Sequence, residues 1–186
     1  EFRRVLFRSG RLIVHLVARW RHHREEDGRY AELRASKGAR WNAWALLFTA
    51  AQWMFVMLFC IVPWVIADDP RPFGTVADYL GVLLWAGGQL IECAADAQLA
   101  AWRADPDTRG RTCRRGLWRY SRHPNYFGEL VQWIGLAALA TPGPWCWLAW
   151  GQVLAVYLLI RFMTGVPYAE RQALRSRGDD YRRYQD

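Results

Sequence analysis

The chain has 186 residues, 53% of them hydrophobic, with 12 Trp, 8 Tyr and a formal net charge of +8 at pH 7. Trp and Tyr concentrate at membrane–water interfaces, where the ring tolerates acyl chains while the N–H or O–H stays hydrated. Apolar runs of bilayer length exclude a soluble nucleic-acid binder, so the positive charge points to anionic lipid or a phosphate-bearing ligand.

Residues 1–10, "EFRRVLFRSG", are unlike the rest of the chain and are set aside as a leader or the edge of a fragment. "RLIVHLVARW", near 11–20, reads as the tail of a helix. His22 and His23 are adjacent in a basic stretch, which suits a solvated loop better than a metal site. Four apolar segments then follow, at 41–67, 76–102, 126–140 and 145–166. A helix needs roughly 20 apolar residues to cross a bilayer. The third segment is short by itself and begins inside the polar stretch that precedes it. Pro63 lies late in the first, where neighbours can re-satisfy the freed carbonyl. The expected fold is all-α, a polytopic transmembrane helix bundle forming one domain over 11–186.

The cysteines (Cys60, Cys93, Cys113 and Cys146) form no C-x-x-C pair, which argues against a disulfide framework or a zinc site. Cys60, Cys93 and Cys146 lie in apolar runs and are expected to be small buried hydrophobes. No metal is expected.

Arginines orient the bundle. Segment 21–40 supplies six Lys/Arg, 103–122 supplies seven and the tail from 171 supplies five. The alternate connections, 68–75 and 141–144, supply only Arg71. By the positive-inside rule the basic segments face the cytoplasm and the short turns face outward, as in a bacterial inner-membrane protein.

Gln89, Glu92, Asp96 and Arg103 follow one another at offsets of three, four and seven, which places them on one helical stripe. Asn125, Glu129 and Gln132, at offsets of four and three, form a second. A carboxylate at the centre of a bilayer helix costs about 2.5–3.5 kcal/mol on insertion scales unless it is paired or lines a polar cavity. Snorkelling to the interface or pairing with arginines would account for either acid alone. Two acids and an amide on one stripe favour a lined cavity. Between the stripes lies "RADPDTRGRTCRRGLWRYSRH", which gathers Arg114, Arg115, Arg119, Arg122 and His123 beside Asn125 and Glu129. Arginine forks hold phosphates in a bidentate way, and carboxylates accept from hydroxyls or a carboxamide. Pro124 suits the first turn of a helix, whose free N–H groups and positive dipole end add to an anion site.

"GLWRYSRHPNYFGE", 116–129, closely resembles the signature of bacterial membrane enzymes related to the C-terminal domain of steroid 5-alpha-reductases. The likeness extends through "GQLIECAADAQLAAWRADPDTRG", "GVPYAERQALRSRGDDYRRYQ" and "DGRYAELRASKGARW", from about residue 28 to 186. It implies a multi-helix membrane reductase that uses NADPH to reduce a polarised carbon–carbon double bond of a lipophilic, steroid-like substrate. Asp96, Arg103, Arg115, Asn125 and Glu129 match positions that contact the dinucleotide in steroid reductases. Glu92 stands where those enzymes carry an asparagine. Tyr120, Ser121, Arg122, His123 and Tyr126 belong to a form of the motif shared with sterol reductases. The implied roles are phosphate binding by Arg103, Arg115, Arg119 and Arg122, and ribose and carboxamide contacts from Asp96, Asn125 and Glu129. Tyr126 is the candidate proton donor, although a membrane tyrosine also serves as an interfacial anchor. The Glu and Tyr that polarise the substrate carbonyl in steroid reductases have no counterpart in this sequence.

Two other functions fit parts of the pattern. A shorter "RHP-x-Y-x-G" occurs in isoprenylcysteine carboxyl methyltransferases, membrane enzymes that bind S-adenosylmethionine. A non-catalytic membrane protein could use the basic loops for lipid or partner binding. The carboxylate stripe and Glu129 favour the reductase.

Overall fold

The computed structural model describes residues 34–163 and 165–185, and within them the fold is helical with no strand. The readings of 1–10, of the helix tail near 11–20 and of His22 and His23 lie outside the described residues. The chain divides into two compact units, Glu1–Trp53 and Met54–Asp186.

The described part of the first unit is helical, with a 3-10 turn at Gly38–Arg40 leading into α1, Trp41–Phe59, whose last six residues belong to the second unit. Arg34 and Lys37 lie over the rings of Trp41 and Trp44, at 5.3 and 5.0 Å. These contacts put cations at the aromatic mouth of an apolar helix, the arrangement expected at a membrane interface.

α1 breaks at Cys60, and α2 follows as Ile61–Ala67. Pro63 accounts for the break, since it has no N–H for the Phe59 carbonyl and its ring crowds that oxygen. α3, Val76–Ala104, and α4, Pro124–Ala140, form the central pair of the second unit. α5, Cys146–Leu158, runs into a π-helical turn at Leu159–Met163, followed by α6, Val166–Arg177, and α7, Asp179–Gln185.

Glycine decides how closely α3 and α4 approach. Gly81 and Gly88 on α3 face Gly135 and Gly128 on α4, seven residues apart on each helix and antiparallel. A Cβ at Gly88 would stand 2.6 Å from the Gly128 carbonyl oxygen, and one at Gly128 would stand 2.7 Å from that of Gly88. Backbones this close bring long runs of atoms into van der Waals contact, as small residues do in membrane helix pairs. Beside the seam, Val62, Val65, Ala137, Ala140 and Ala149 bring α2, α4 and α5 into one apolar core.

The turns at 68–75 and 141–144 meet at one end of this unit. The Arg71 guanidinium donates to both oxygens of the buried Asp78 at 2.9 and 2.8 Å, to Asp69 at 2.7 Å and to the Leu139 carbonyl at 2.9 Å. Asp78 also completes a capping box with Thr75 at the start of α3. Hydrogen bonding to Asp78 holds the Arg71 guanidinium above its ordinary pKa, with Asp69 adding to the effect. The one arginine of these two turns is therefore a structural pin.

Two helical stretches, Arg34–Ala67 and Cys146–Arg177, are long and apolar enough to cross a membrane. Only 6% of the most apolar window of the first is buried. Leu46, Trp53, Met54, Leu83, Leu90 and Trp147 are each more than half exposed, so the molecule presents large apolar side chains outward. The expectation of four spans is met in length and apolarity at these two stretches. α3 has the length but carries the charged stripe, and α4 has 17 residues. The cysteine expectation needs correcting. Cys60 and Cys93 are exposed and Cys146 is half-buried, while Cys113 is the buried one. Periodicity alone does not distinguish a helix face packed on protein from one turned outward.

Candidate functional site

The two predicted stripes meet. The α3–α4 seam places Glu92 against Gln132, whose Nε2 donates to the carboxylate at 2.5 Å. One turn along, Asn125 Nδ2 donates to Asp96 at 3.3 Å. Glu129 lies between these pairs on α4, next to Gly128, where a Cβ would stand 3.1 Å from Glu92 Cβ. Gln89 donates to Cys93 along its own helix. Small residues flank these groups, with Gly88, Ala95 and Gly128 all buried. The seam that brings the backbones together is thus what sets the polar groups opposite one another.

Asn125 keeps an open acceptor: its Oδ1 is buried and has no hydrogen-bond partner among the described residues. A buried amide oxygen without a partner costs about 1–3 kcal/mol, so it is poised for a donor supplied from outside the chain. Beside it, His123 stacks on Tyr126 with centroids 5.4 Å apart. The Tyr126 hydroxyl makes no hydrogen bond among the described residues, which leaves it free toward a ligand. Pro124 opens α4 as expected, and no side chain caps that helix start.

The motif itself is held from two sides. On one, Gly116 adopts φ +58°, and its N–H neighbour Leu117 donates to Gln98 Oε1 at 2.8 Å. A side chain at Gly116 would fall on the Gln98 carboxamide. Trp118 is buried and its indole N–H donates to the Ala95 carbonyl at 2.9 Å. On the other side, α6 and α7 strap the loop. Glu170 accepts from Arg122 at 3.1 Å and lies 3.4 Å from His123. Asp180 accepts from the Thr112 N–H at 2.6 Å and pairs with Arg114 at 3.3 Å. The Tyr184 hydroxyl donates to the Trp118 and Ser121 carbonyls. Burial pushes the His123 imidazole below its ordinary pKa, while Glu170 works in the opposite direction. Hydrogen bonding from Thr112, with the Arg114 guanidinium nearby, holds the Asp180 carboxyl below the ordinary carboxylate range.

The predicted arginines separate into different environments. Arg122 is ion-paired with Glu170. Arg115 stacks over the Trp102 ring at 5.2 Å. Arg119 and Tyr120 are exposed, Tyr120 at 84%. Ser121 Oγ accepts from the His123 N–H. Arg103 lies two turns beyond Asp96 and lines a separate cleft with Arg109, Arg111 and Arg177. Sequence reasoning missed Glu170, Asp180, Gln98 and this cleft. The Glu170 and Asp180 pairings span 47 to 68 residues and the Gln98–Leu117 pairing spans 19, so no single helix face contains them. No group of His, Cys, Asp or Glu suited to a metal ion occurs among the described residues.

The family described as "Protein of unknown function (DUF1295)" matches residues 5–186. The 3-oxo-5-alpha-steroid 4-dehydrogenase 1 of Mus musculus is 34% identical over 84 residues, 45% of this chain and 31% of that protein. The Homo sapiens protein of the same name is 40% identical over 58 residues, 31% of this chain and 22% of its own length. Steroid 5-alpha-reductase DET2 of Gossypium hirsutum is 31% identical over 71 residues, 38% of this chain and 26% of that protein. The matched part therefore spans about a third or less of these curated relatives. No solved structure matches the chain significantly. The chain belongs to the DUF1295 family, and it resembles the steroid 5-alpha-reductases.

Proposed function

We propose that this protein is a polytopic integral membrane reductase that uses NADPH to reduce a carbon–carbon double bond of a lipophilic, steroid-like substrate. The observation that carries the proposal is the polar seam between α3 and α4. Glu92, Asp96, Asn125, Glu129 and Gln132 converge there beside an arginine-rich motif, with the Asn125 acceptor unfilled. A dinucleotide needs both parts: cations for its phosphates, and acceptors and amides for its ribose and carboxamide groups. Asp96, Asn125 and Glu129 would hold the ribose and carboxamide end. Arg103, Arg115 and Arg119 would face the phosphates, with Arg122 and His123 placed by Glu170 at the rim. The bound cofactor would supply hydride, and Tyr126 would supply the proton, its hydroxyl free and its ring fixed on His123. Apolar surface supports lateral entry of a lipid substrate, and the arginine bias supports a cytoplasmic cofactor mouth in an inner membrane.

The test is stabilisation by ligand. A compound that binds the native state raises stability by RT ln(1 + [L]/Kd), about 2.7 kcal/mol at a hundredfold excess over Kd. Purified protein in detergent is heated with NADPH, NADH or S-adenosylmethionine separately. NADPH is expected to raise the melting temperature most. Stabilisation by S-adenosylmethionine alone would instead favour a methyltransferase, and no stabilisation by any of the three would remove the cofactor reading.

A further inference from the structure

α5 is apolar and α6 is basic, and the change comes at the π-helical turn Leu159–Met163 between them. The junction is apolar and outward-facing, with Leu154, Phe162 and Met163 each more than half exposed. Arg161 lies over the Phe162 ring at 5.3 Å, a cation on an aromatic face where the apolar stretch ends. That is the pattern of a helix emerging into a headgroup layer.

α6 has two faces with different partners. Its inner face is the strap, where Glu170 accepts from Arg122 and Ala173 is buried. The other face carries Tyr168, Arg171 and Arg175, at offsets of three and four and all exposed. With Gln172 they border a hollow of about 310 Å³.

The charge on this outer face is unanswered. Arg171 and Arg175 make no ion pair among the described residues. Like charges four residues apart disfavour a helix, and a neighbouring acid would offset them. The one acid of α6, Glu170, instead turns to Arg122 and lies 3.4 Å from His123. Acids nearby are also used elsewhere, since Arg114 pairs with Asp180 and Arg182 with Asp179. The spacing sets two guanidinium forks side by side, and such a fork holds a phosphate through parallel hydrogen bonds.

The surroundings suggest which phosphate. A soluble anion needs the arginines alone, whereas a phospholipid also needs an apolar wall for its acyl chains. The exposed Leu154, Phe162 and Met163 provide one in the segment that leads into α6. Arg171 and Arg175 lie about 8 and 14 Å of helix beyond Val166, and arginine stems extend that reach by snorkelling. The exposed Tyr168 ring is suited to the same layer. We propose that the Tyr168–Arg171–Arg175 face of α6 docks the headgroup of an anionic phospholipid. The opposite face of the same helix holds Arg122 and His123 through Glu170, so the bound lipid steadies the motif from outside. The proposal rests on the membrane setting above and not on the cofactor.

The test uses the full chain in a neutral detergent, titrated with dioleoylphosphatidylglycerol or dioleoylphosphatidylcholine. These lipids share acyl chains and differ in headgroup charge. Binding is read as lipid adducts by native mass spectrometry, and folding is checked by far-UV circular dichroism. Wild type should prefer the anionic lipid. An arginine near an anionic headgroup is worth about a fivefold factor, so Arg171→Gln/Arg175→Gln should bind phosphatidylglycerol at least about tenfold more weakly. Its phosphatidylcholine binding should not change. Arg182→Gln/Arg183→Gln removes the same charge from exposed positions on α7 and should match wild type. Equal weakening in the two double variants would overturn the proposal, because only the overall field would then matter. So would a wild type without lipid preference, or release of its phosphatidylglycerol by millimolar inorganic phosphate, the mark of a site for a soluble anion. If the α6 variant loses NADPH affinity but keeps its lipid preference, the face serves the cofactor and this proposal fails. If wild type binds no NADPH while the lipid pattern is as expected, the reductase reading falls and this one stands.

Discussion

Adjacent glycines in α3 allow the close approach of the helix pair to be measured directly. Gly87 has nothing within 4 Å of where its Cβ would be, whereas a Cβ at Gly88 would stand 2.6 Å from the Gly128 carbonyl oxygen and 2.8 Å from Gln132 N. Gly87→Ala should therefore stabilise the protein by about 0.5–1 kcal/mol, the helix-propensity gain with no steric opposition. Gly88→Ala gains the same propensity but must push α4 away, from 2.6 Å to the 3.4 Å of ordinary contact, about 0.8 Å. Such overpacking against backbone costs typically 1–3 kcal/mol. Since propensity cancels between the two variants, that is also their expected difference in stability. A second consequence is functional. The shift falls at the Glu92–Gln132 pair, so Gly88→Ala should also weaken NADPH binding. Gly81→Ala, two turns away against Gly135, should lower stability similarly and leave affinity near wild type. Denaturant unfolding in one detergent, followed by NADPH titration, reads both quantities. If Gly88→Ala proves as stable as Gly87→Ala, the helices are not held in glycine contact and the geometry of the polar seam fails with it.

Glu129→Gln keeps side-chain shape and removes a charge, so it should reduce dinucleotide affinity while the protein still folds; higher stability with unchanged affinity would place Glu129 against lipid. Arg71→Gln should lower the thermal midpoint, because it leaves the buried Asp78 without its guanidinium, and Phe73→Gln on the exposed surface of the same turn should not. His123 has its pKa lowered from 6.5 by burial, so the unfolded chain binds the proton more readily. Stability should therefore fall as pH drops below about 6.5 and level off beneath the folded-state pKa, and His123→Gln should flatten that slope in pH-dependent melting curves. Arg119 is exposed and makes no ion pair among the described residues; Arg119→Lys keeps the charge and loses the fork, so it should weaken NADPH binding without moving the melting temperature. In a cysteine-free background, a cysteine at position 73 should be labelled from outside intact cells and one at position 119 should not; labelling of 119 would reverse the orientation.

Local pattern alone carried the helical class, the helix start at Pro124, the two stripes and the segregation of arginine. Each follows from residues within a few turns of one another, where 3.6-residue periodicity and proline chemistry act directly. That Glu92 and Asp96 would belong with Asn125 and Gln132 was legible as two polar faces. Their pairing depended on glycines at 81, 88, 128 and 135 matching across two antiparallel helices, a register that no single helix contains. Tertiary structure alone decided the fate of each charge. Arg71 went to a buried carboxylate, Arg122 to Glu170 and Arg114 to Asp180, while Arg103, Arg109, Arg111 and Arg177 were left facing one cleft. An arginine has the same composition, periodicity and helix position in either case. Whether it is paired or open depends on which carboxylate the folded chain brings within about 4 Å, and that is set by contacts distant in sequence.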